Sequence, residues 1–411
     1  MQTIFTHIQS LFGIQNNFLP AIKGHDLNSV EHLEQAWMLI EDDRIIDFGS
    51  MEHFPSGNYD QEINVAGKLV FPTWCDSHTH LVFPKTREEE FVDRINGLTY
   101  EQIAANGGGI LNSAKHLATI SSAQLFEDAC QRLEELIRLG TGAIEIKSGY
   151  GLSLDAELKI LRVIKQLKEK YALPIKTTFL GAHAYPLAYK ENKEGYIQLI
   201  IKEMLPAVAA EGLADYMDVF CEQGFFSVAD TDRLLNAAAK YNLKPKIHAN
   251  QLHNSGGVQI GVQHHAISVD HLECVGDEEI SCLQNSTTIP TLLPAAAFFL
   301  GIHYQPARKM IDANLPVCLA SDYNPGSCPS GNIPFLLSLA CTQLKMTPNE
   351  AFNAVTYNGA AAMELQHEVG SITRGKKANF IISTTLPSFN LIPYSFGSNL
   401  MDRVYINGKQ F

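Results

Sequence analysis

The sequence predicts an α/β fold: a closed (β/α)8 barrel of the TIM type, with a small β-sandwich domain built from both chain ends. Three observations carry this. Eight short runs, apolar on both faces, alternate with helical patterns, as strands of a parallel sheet covered on both sides do. Eight such units within 411 residues fit a closed barrel better than an open sheet. Residues able to bind metals or move protons fall at the C-terminal ends of those runs, the face on which such barrels build their sites.

The elements follow in order. Residues 1–66 contain short alternating segments such as Trp37-Met38-Leu39-Ile40 and Arg44-Ile45-Ile46-Asp47-Phe48-Gly49, and residues 367–411 repeat that character. Both stretches are expected to join in the small domain, leaving residues 67–366 for the barrel. The first barrel run spans 68–77 and leads into His78-Thr79-His80. Helices are predicted over 121–139, 154–171, 195–211 and 227–241, with another after residue 271. The remaining strands are predicted at 142–150, 175–183, 216–222, 245–248, 266–271, 287–292 and 316–322.

Bulk properties narrow the function. With 45% hydrophobic and 18% charged residues, the chain has the balance of a folded soluble protein. A formal charge of -13 without any Lys/Arg block argues against nucleic acid and anionic membranes as partners and favours a small substrate. Residues 1–20 carry no Lys or Arg, so the basic region of a secretory signal is missing, and the apolar stretch 289–302 is too short and proline-broken to span a bilayer. Eight cysteines without a C-x-x-C read as reduced thiols, and a cytoplasmic location is expected.

His78 and His80 lie two apart on a strand, so their imidazoles share one side. Such a pair alone serves hydrogen bonding as readily as metal binding. With His248 and Asp322 it makes a nitrogen/oxygen set suited to one divalent ion, zinc or iron (Fe2+/Fe3+), with a position open to water. Such an ion lowers the pKa of bound water from about 15.7 to about 7, giving hydroxide as nucleophile. Asp322 is then the expected general base, and His271 the expected partner of the oxyanion or the water. Any one of these histidines by itself reads best as a satisfied core residue; their joint placement at strand ends, with His183 and Glu222, reverses that. Lys147 is a conceivable bridge to a second metal, but Glu222 is better placed and is expected chiefly to support the first site. His253, His264 and His265 read as structural or solvated. Gly107-Gly108-Gly109 lacks phosphate-loop spacing and reads as a tight loop near the barrel mouth.

Gly67-Lys68-Leu69-Val70-Phe71-Pro72 ahead of Asp76-Ser77-His78-Thr79-His80, and Gly370-Ser371-Ile372 with Gly375-Lys376-Lys377-Ala378-Asn379, resemble the first-strand and return motifs of the amidohydrolase superfamily. Finer motifs resemble the branch that opens an imidazolone ring in histidine breakdown. They are His80-Leu81-Val82-Phe83 with Arg87, Leu98-Thr99-Tyr100-Glu101-Gln102-Ile103, Glu145-Ile146-Lys147-Ser148-Gly149-Tyr150-Gly151-Leu152 and Gly181-Ala182-His183-Ala184. His248-Ala249-Asn250-Gln251-Leu252 and Ser321-Asp322-Tyr323-Asn324-Pro325-Gly326-Ser327 complete the set.

The resemblance spans nearly the whole chain and implies hydrolysis of 4-imidazolone-5-propanoate to N-formimidoyl-L-glutamate. It implies one zinc or iron on His78, His80, His248 and Asp322. It further implies substrate binding by Arg87, Tyr150 and His183, ring contact by Gln251, and substrate or product contact by Asn324, Gly326 and Ser327. Tyr100 joins the substrate set on its loop position. Arg87 matches a carboxylate tail with a planar fork, the alternative being an ion pair with one of Glu88, Glu89 and Glu90. Some members carry glutamate where Gln251 stands; an amide cannot act as base, which leaves the proton to Asp322 with His271 or His183. A homodimer is expected. The rival readings are a nucleobase aminohydrolase and, further off, a catalytically inactive barrel scaffold.

Overall fold

The computed structural model describes residues 1–98, 102 and 108–411. Its strands are β1 (Gln2–Ile14), β2 (Glu31–Glu41), β3 (Arg44–Ser50), β4 (Gln61–Asn64), β5 (Lys68–Pro72), β6 (Trp74–Thr79), β7 (Thr141–Lys147) and β8 (Ile175–Ala182). They continue as β9 (Tyr216–Cys221), β10 (Lys244–Ala249), β11 (Ser268–His271), β12 (Ile289–Leu292), β13 (Cys318–Leu319), β14 (Phe380–Thr385), β15 (Met401–Ile406) and β16 (Lys409–Gln410).

Strands β6 to β13 pair in chain order, every pair parallel, as the eight staves of the expected barrel. Main-chain bonds just beyond β13 bring its end back to β6: Asp322 N–H donates to the His78 carbonyl at 3.0 Å, and His80 N–H to the Tyr323 carbonyl at 2.8 Å. The bonds that bring the barrel's edges together therefore also set Asp322 beside the two histidines.

Both chain ends meet in a second eight-stranded sheet, ordered β16-β15-β14-β5-β1-β2-β3 with β4 also on β1. The sheet coils so that Phe5 on β1 meets Phe380 and Tyr405 edge-on, with ring centroids 5.1 and 5.3 Å apart. Those rings anchor a core separate from the barrel's.

The single apolar run expected over 68–77 is two strands. At Thr73 the chain leaves the small sheet, where β5 pairs with β1 and β14, and enters the barrel as β6. Thr73 N–H still donates to Asn379 of the small domain, while Trp74 N–H already donates to Gly140 beneath the barrel. Because residues 69–80 are buried throughout, hydropathy carries no trace of the switch.

The helices match their expected places closely. Ser122–Arg138 starts on the Ser121 side chain, which accepts Gln124 N–H, and Val228–Ala239 starts on a reciprocal Ser227/Asp230 capping box. The helix expected over 195–211 runs from Lys193 to Ala210 with a π-turn at Ile200–Met204. Among the described residues no helix is long and apolar enough to cross a membrane. All eight cysteines are free thiols.

Candidate active site

Alternate residues of the barrel strands point inward, and here many are charged or titratable. Asp76, His78, Glu145, Lys147, Asp218, Lys246, His248 and Asp270 are each at most 2% exposed. Buried ions must be paired or hydrogen-bonded: Asp76 accepts Ser321 N–H and Oγ–H, and the other carboxylates pair with the two lysines. Lys147 Nζ donates to Glu145 at 2.6 Å and Asp218 at 2.9 Å and lies 3.5 Å from Asp270, while Lys246 pairs with the other Glu145 oxygen. Lys147 is thus a buried counter-ion, not a metal bridge.

Two of these carboxylates turn the histidines. His78 donates from Nδ1 to Asp270 Oδ2 at 2.6 Å, and His248 from Nδ1 to Asp218 Oδ2 at 2.9 Å. His80 Nδ1 faces the Ser148 carbonyl at 3.4 Å. An ionised carboxylate only accepts, so each partnered ring carries its hydrogen on Nδ1 and presents a bare Nε2 to the barrel mouth. There His80 and His248 Nε2 stand 3.4 Å apart, and Asp322 Oδ1 lies 3.5 Å from His78 Nε2 and 3.8 Å from His80 Nε2. His78 Nε2 is buried without a hydrogen-bond partner.

Burial first, then the charge of Lys147, holds His78 well below its ordinary pKa; burial and His183 do the same to His80. Both rings are neutral at physiological pH. Converging lone pairs repel one another, and a cation between them would relieve that repulsion. Tetrahedral bonds of about 2.0–2.2 Å separate ligand atoms by about 3.3–3.6 Å, close to the spacings present. The residues fit a divalent ion, and His78, His80 and Asp322 form one of two clusters within its reach. His271 joins His78 and His248 in the other.

Burial pushes the Asp322 carboxyl up to about 6, against the opposing pull of His271 and His248. Burial also lowers His183 to about 3 and His271 to about 4. Asp322 has a positive φ of 57°, imposed by the closing bonds of the barrel.

The other expected residues gather around this centre, with exceptions. His183 stacks on His80 at 5.3 Å and donates from Nδ1 to the Gly149 carbonyl at 3.1 Å. The buried Tyr150 ring lies 5.7 Å from His80 and 5.6 Å from His183. Arg87 is ion-paired with Glu90, its Nε and one Nη donating at 2.9 and 2.6 Å. A Cβ placed on Gly326 would meet the other Nη at 2.3 Å, so the guanidinium packs on that backbone. Asn324 turns inward on its own loop, accepting Gly326 and Ser327 N–H and donating to the Asp322 carbonyl and Ser327 Oγ. Ser327 Oγ in turn donates to Asp322 Oδ2 at 3.2 Å. Gln251 sits half-buried in the loop after β10, and Tyr100 lies outside the described residues. Glu222 accepts Leu252 and His253 N–H and His253 Nδ1, so it braces the Gln251 loop and belongs to neither cluster.

Sequence reasoning missed Asp218, Asp270 and Glu145; only Glu145, two residues before Lys147 on an apolar strand, left a signal in the spacing. It also missed Glu273, a buried carboxylate held by Gln305 at 2.9 Å and 3.6 Å from His271 Nδ1, whose pKa burial raises well above the usual range.

Residues 69–411 match the amidohydrolase family. An imidazolonepropionase from Christiangramia forsetii is 54% identical over 409 residues, covering 100% of both chains. A triazine hydrolase variant superposes with a TM-score of 0.75 at 13% identity, covering 100% of this chain and 94% of its own. A guanine deaminase from C. acetobutylicum with bound guanine does so at 0.72 and 15% identity, covering 100% of both. At such identities the two structures attest the fold alone.

Proposed function

This chain belongs to the amidohydrolase family, among the imidazolonepropionases, and on that premise we propose that it hydrolyses 4-imidazolone-5-propanoate to N-formimidoyl-L-glutamate in histidine degradation. The observation that carries the reading is the convergence of His78, His80 and His248 Nε2 with Asp322 Oδ1 at the barrel mouth. Those four residues would hold one ion, zinc or iron. When bound, it supplies Lewis-acid activation of water and of the ring carbonyl.

The chain's own groups do the rest. Asp322, poised near neutrality by burial, takes the proton of the attacking water. As the carbonyl carbon–nitrogen bond breaks, Asp322 returns that proton to the departing ring nitrogen, directly or by way of His271. His271 also donates to the developing oxyanion. Gln251 contacts the ring by hydrogen bonding. Arg87 receives the propanoate carboxylate, with Tyr150, His183 and Tyr100 around the substrate. Asn324, Gly326 and Ser327 shape the wall beside Asp322. Free cysteines throughout support a reducing, cytoplasmic location, and exposed Phe91, Val92 and Ile95 support a homodimer.

The test is incubation of the purified protein with 4-imidazolone-5-propanoate, with and without a chelator, read by mass spectrometry. Gain of one water, lost on chelation, is expected. Ammonia release from a nucleobase in its place, or a metal-loaded protein inert towards the imidazolone, overturns the reading.

A further inference from the structure

The two aspartates that turn His78 and His248 are not independent. Asp270 Oδ2 holds both His78 Nδ1 at 2.6 Å and Lys147 Nζ at 3.5 Å, and Asp218 Oδ2 holds both His248 Nδ1 and Lys147 Nζ at 2.9 Å each. One ammonium on β7 therefore ties together carboxylates on β9 and β11, which in turn aim histidines on β10 and β6. The other oxygen of Asp270 has no hydrogen-bond partner, so His78 and Lys147 alone set its orientation. Asp218 is braced further by His248 N–H at 3.0 Å. Glu145 cannot substitute as a tether, being neutralised by Lys246 and capped by Thr178 Oγ1 at 2.6 Å.

We propose that Lys147 is a positioning residue for metal binding: it fixes Asp270 and Asp218 together, so that His78 and His248 present Nε2 as one preorganised pair. The proposal rests on the function argued above, in that it takes those nitrogens to be metal-facing. It makes a counterintuitive demand. Lys147 is a cation buried beneath a cation site, and by charge alone its removal should tighten metal binding. If it acts by positioning, removal should weaken binding, as loss of a ligand-orienting partner does, by about 10–100-fold.

The experiment is Zn2+ titration of the chelator-stripped full chain against a chromophoric competitor, for wild type and Lys147→Met, with folding checked by circular dichroism. Weakening of the Zn2+ Kd by tenfold or more supports the proposal. An unchanged or tighter Kd overturns it. Should Lys147→Met fail to fold, Lys147→Met with Glu145→Gln keeps the net charge of the buried cluster, removes the tether and is read the same way. No substrate enters the assay, so failure to hydrolyse the imidazolone leaves this test intact. A wild-type chain that takes up neither Zn2+ nor Fe2+ would overturn the functional reading itself, and this proposal with it.

Discussion

Asp322 is bound to His78 through the backbone as well as facing it with its side chain. The Asp322 N–H donates to the His78 carbonyl at 3.0 Å while its Oδ1 stands 3.5 Å from His78 Nε2. Fold closure and site assembly are thus one event, and the side chain is free to be changed without undoing the backbone bond. Asp322 sits at a φ of 57°, which asparagine tolerates and alanine does not. Asp322→Asn should therefore lower kcat by about 10²–10⁴-fold, the range of a lost general base, while Tm stays within a few degrees of wild type. Parallel steady-state kinetics and thermal melts check this; turnover near wild type would remove Asp322 from the mechanism.

Gly326 controls where Arg87 can lie. Its backbone needs no special φ, and the one group a methyl there would strike is the Arg87 guanidinium, at 2.3 Å. Gly326→Ala should displace the fork rather than unfold the loop, so KM for the imidazolone should rise about tenfold or more with a smaller change in kcat. That pattern marks lost ground-state binding. A mutant with normal KM would mean that the propanoate tail is held elsewhere.

What the sequence could show depended on range. His78, His80, His248 and Asp322 were legible because each closes an apolar run, and strand alternation alone puts His78 and His80 on one side. Asp218 and Asp270 were not, since a lone carboxylate in an apolar strand gains meaning only when Lys147 and a histidine approach from neighbouring strands. The Arg87–Glu90 pair was foreseeable only as one of three glutamates. Glu222, expected chiefly in a supporting role, has as partners the Leu252 and His253 N–H groups and the His253 ring, which leave no mark on composition. The break at Thr73 was invisible because two different sheets bury the same apolar pattern.

Glu157 braces the loop that carries Tyr150. Its buried carboxylate accepts N–H from Gly149 at 3.0 Å, Gly151 at 2.6 Å and Leu152 at 3.0 Å, and the Gly149 carbonyl in turn receives His183. Glu157→Ala leaves three donors without their acceptor and should cost about 2–4 kcal/mol of stability, allowing for partial access of water. Because Tyr150 and His183 both hang on this loop, substrate KM should rise as well. Urea denaturation and kinetics on the same preparation test both halves; unchanged KM would uncouple the loop from binding.

Lys376 provides a pH signature away from the candidate metal site. Burial lowers its ammonium from 10.5 to about 8, although Nζ donates to the Val369 carbonyl at 3.1 Å and Ser371 Oγ at 2.6 Å. A lysine with a depressed folded-state pKa binds fewer protons folded than unfolded. Its penalty is therefore full below about pH 8 and is relieved as pH rises towards 10.5, where the unfolded chain also loses the proton. Other groups titrate over the same range, so the informative quantity is the difference between wild type and Lys376→Met, which carries no charge to bury. Between pH 7.5 and 10.5 the wild type should gain up to about 3 kcal/mol relative to the variant. Denaturant melts at half-unit steps would reveal it, and parallel stability curves for the two chains would show that Lys376 is not strained by its burial.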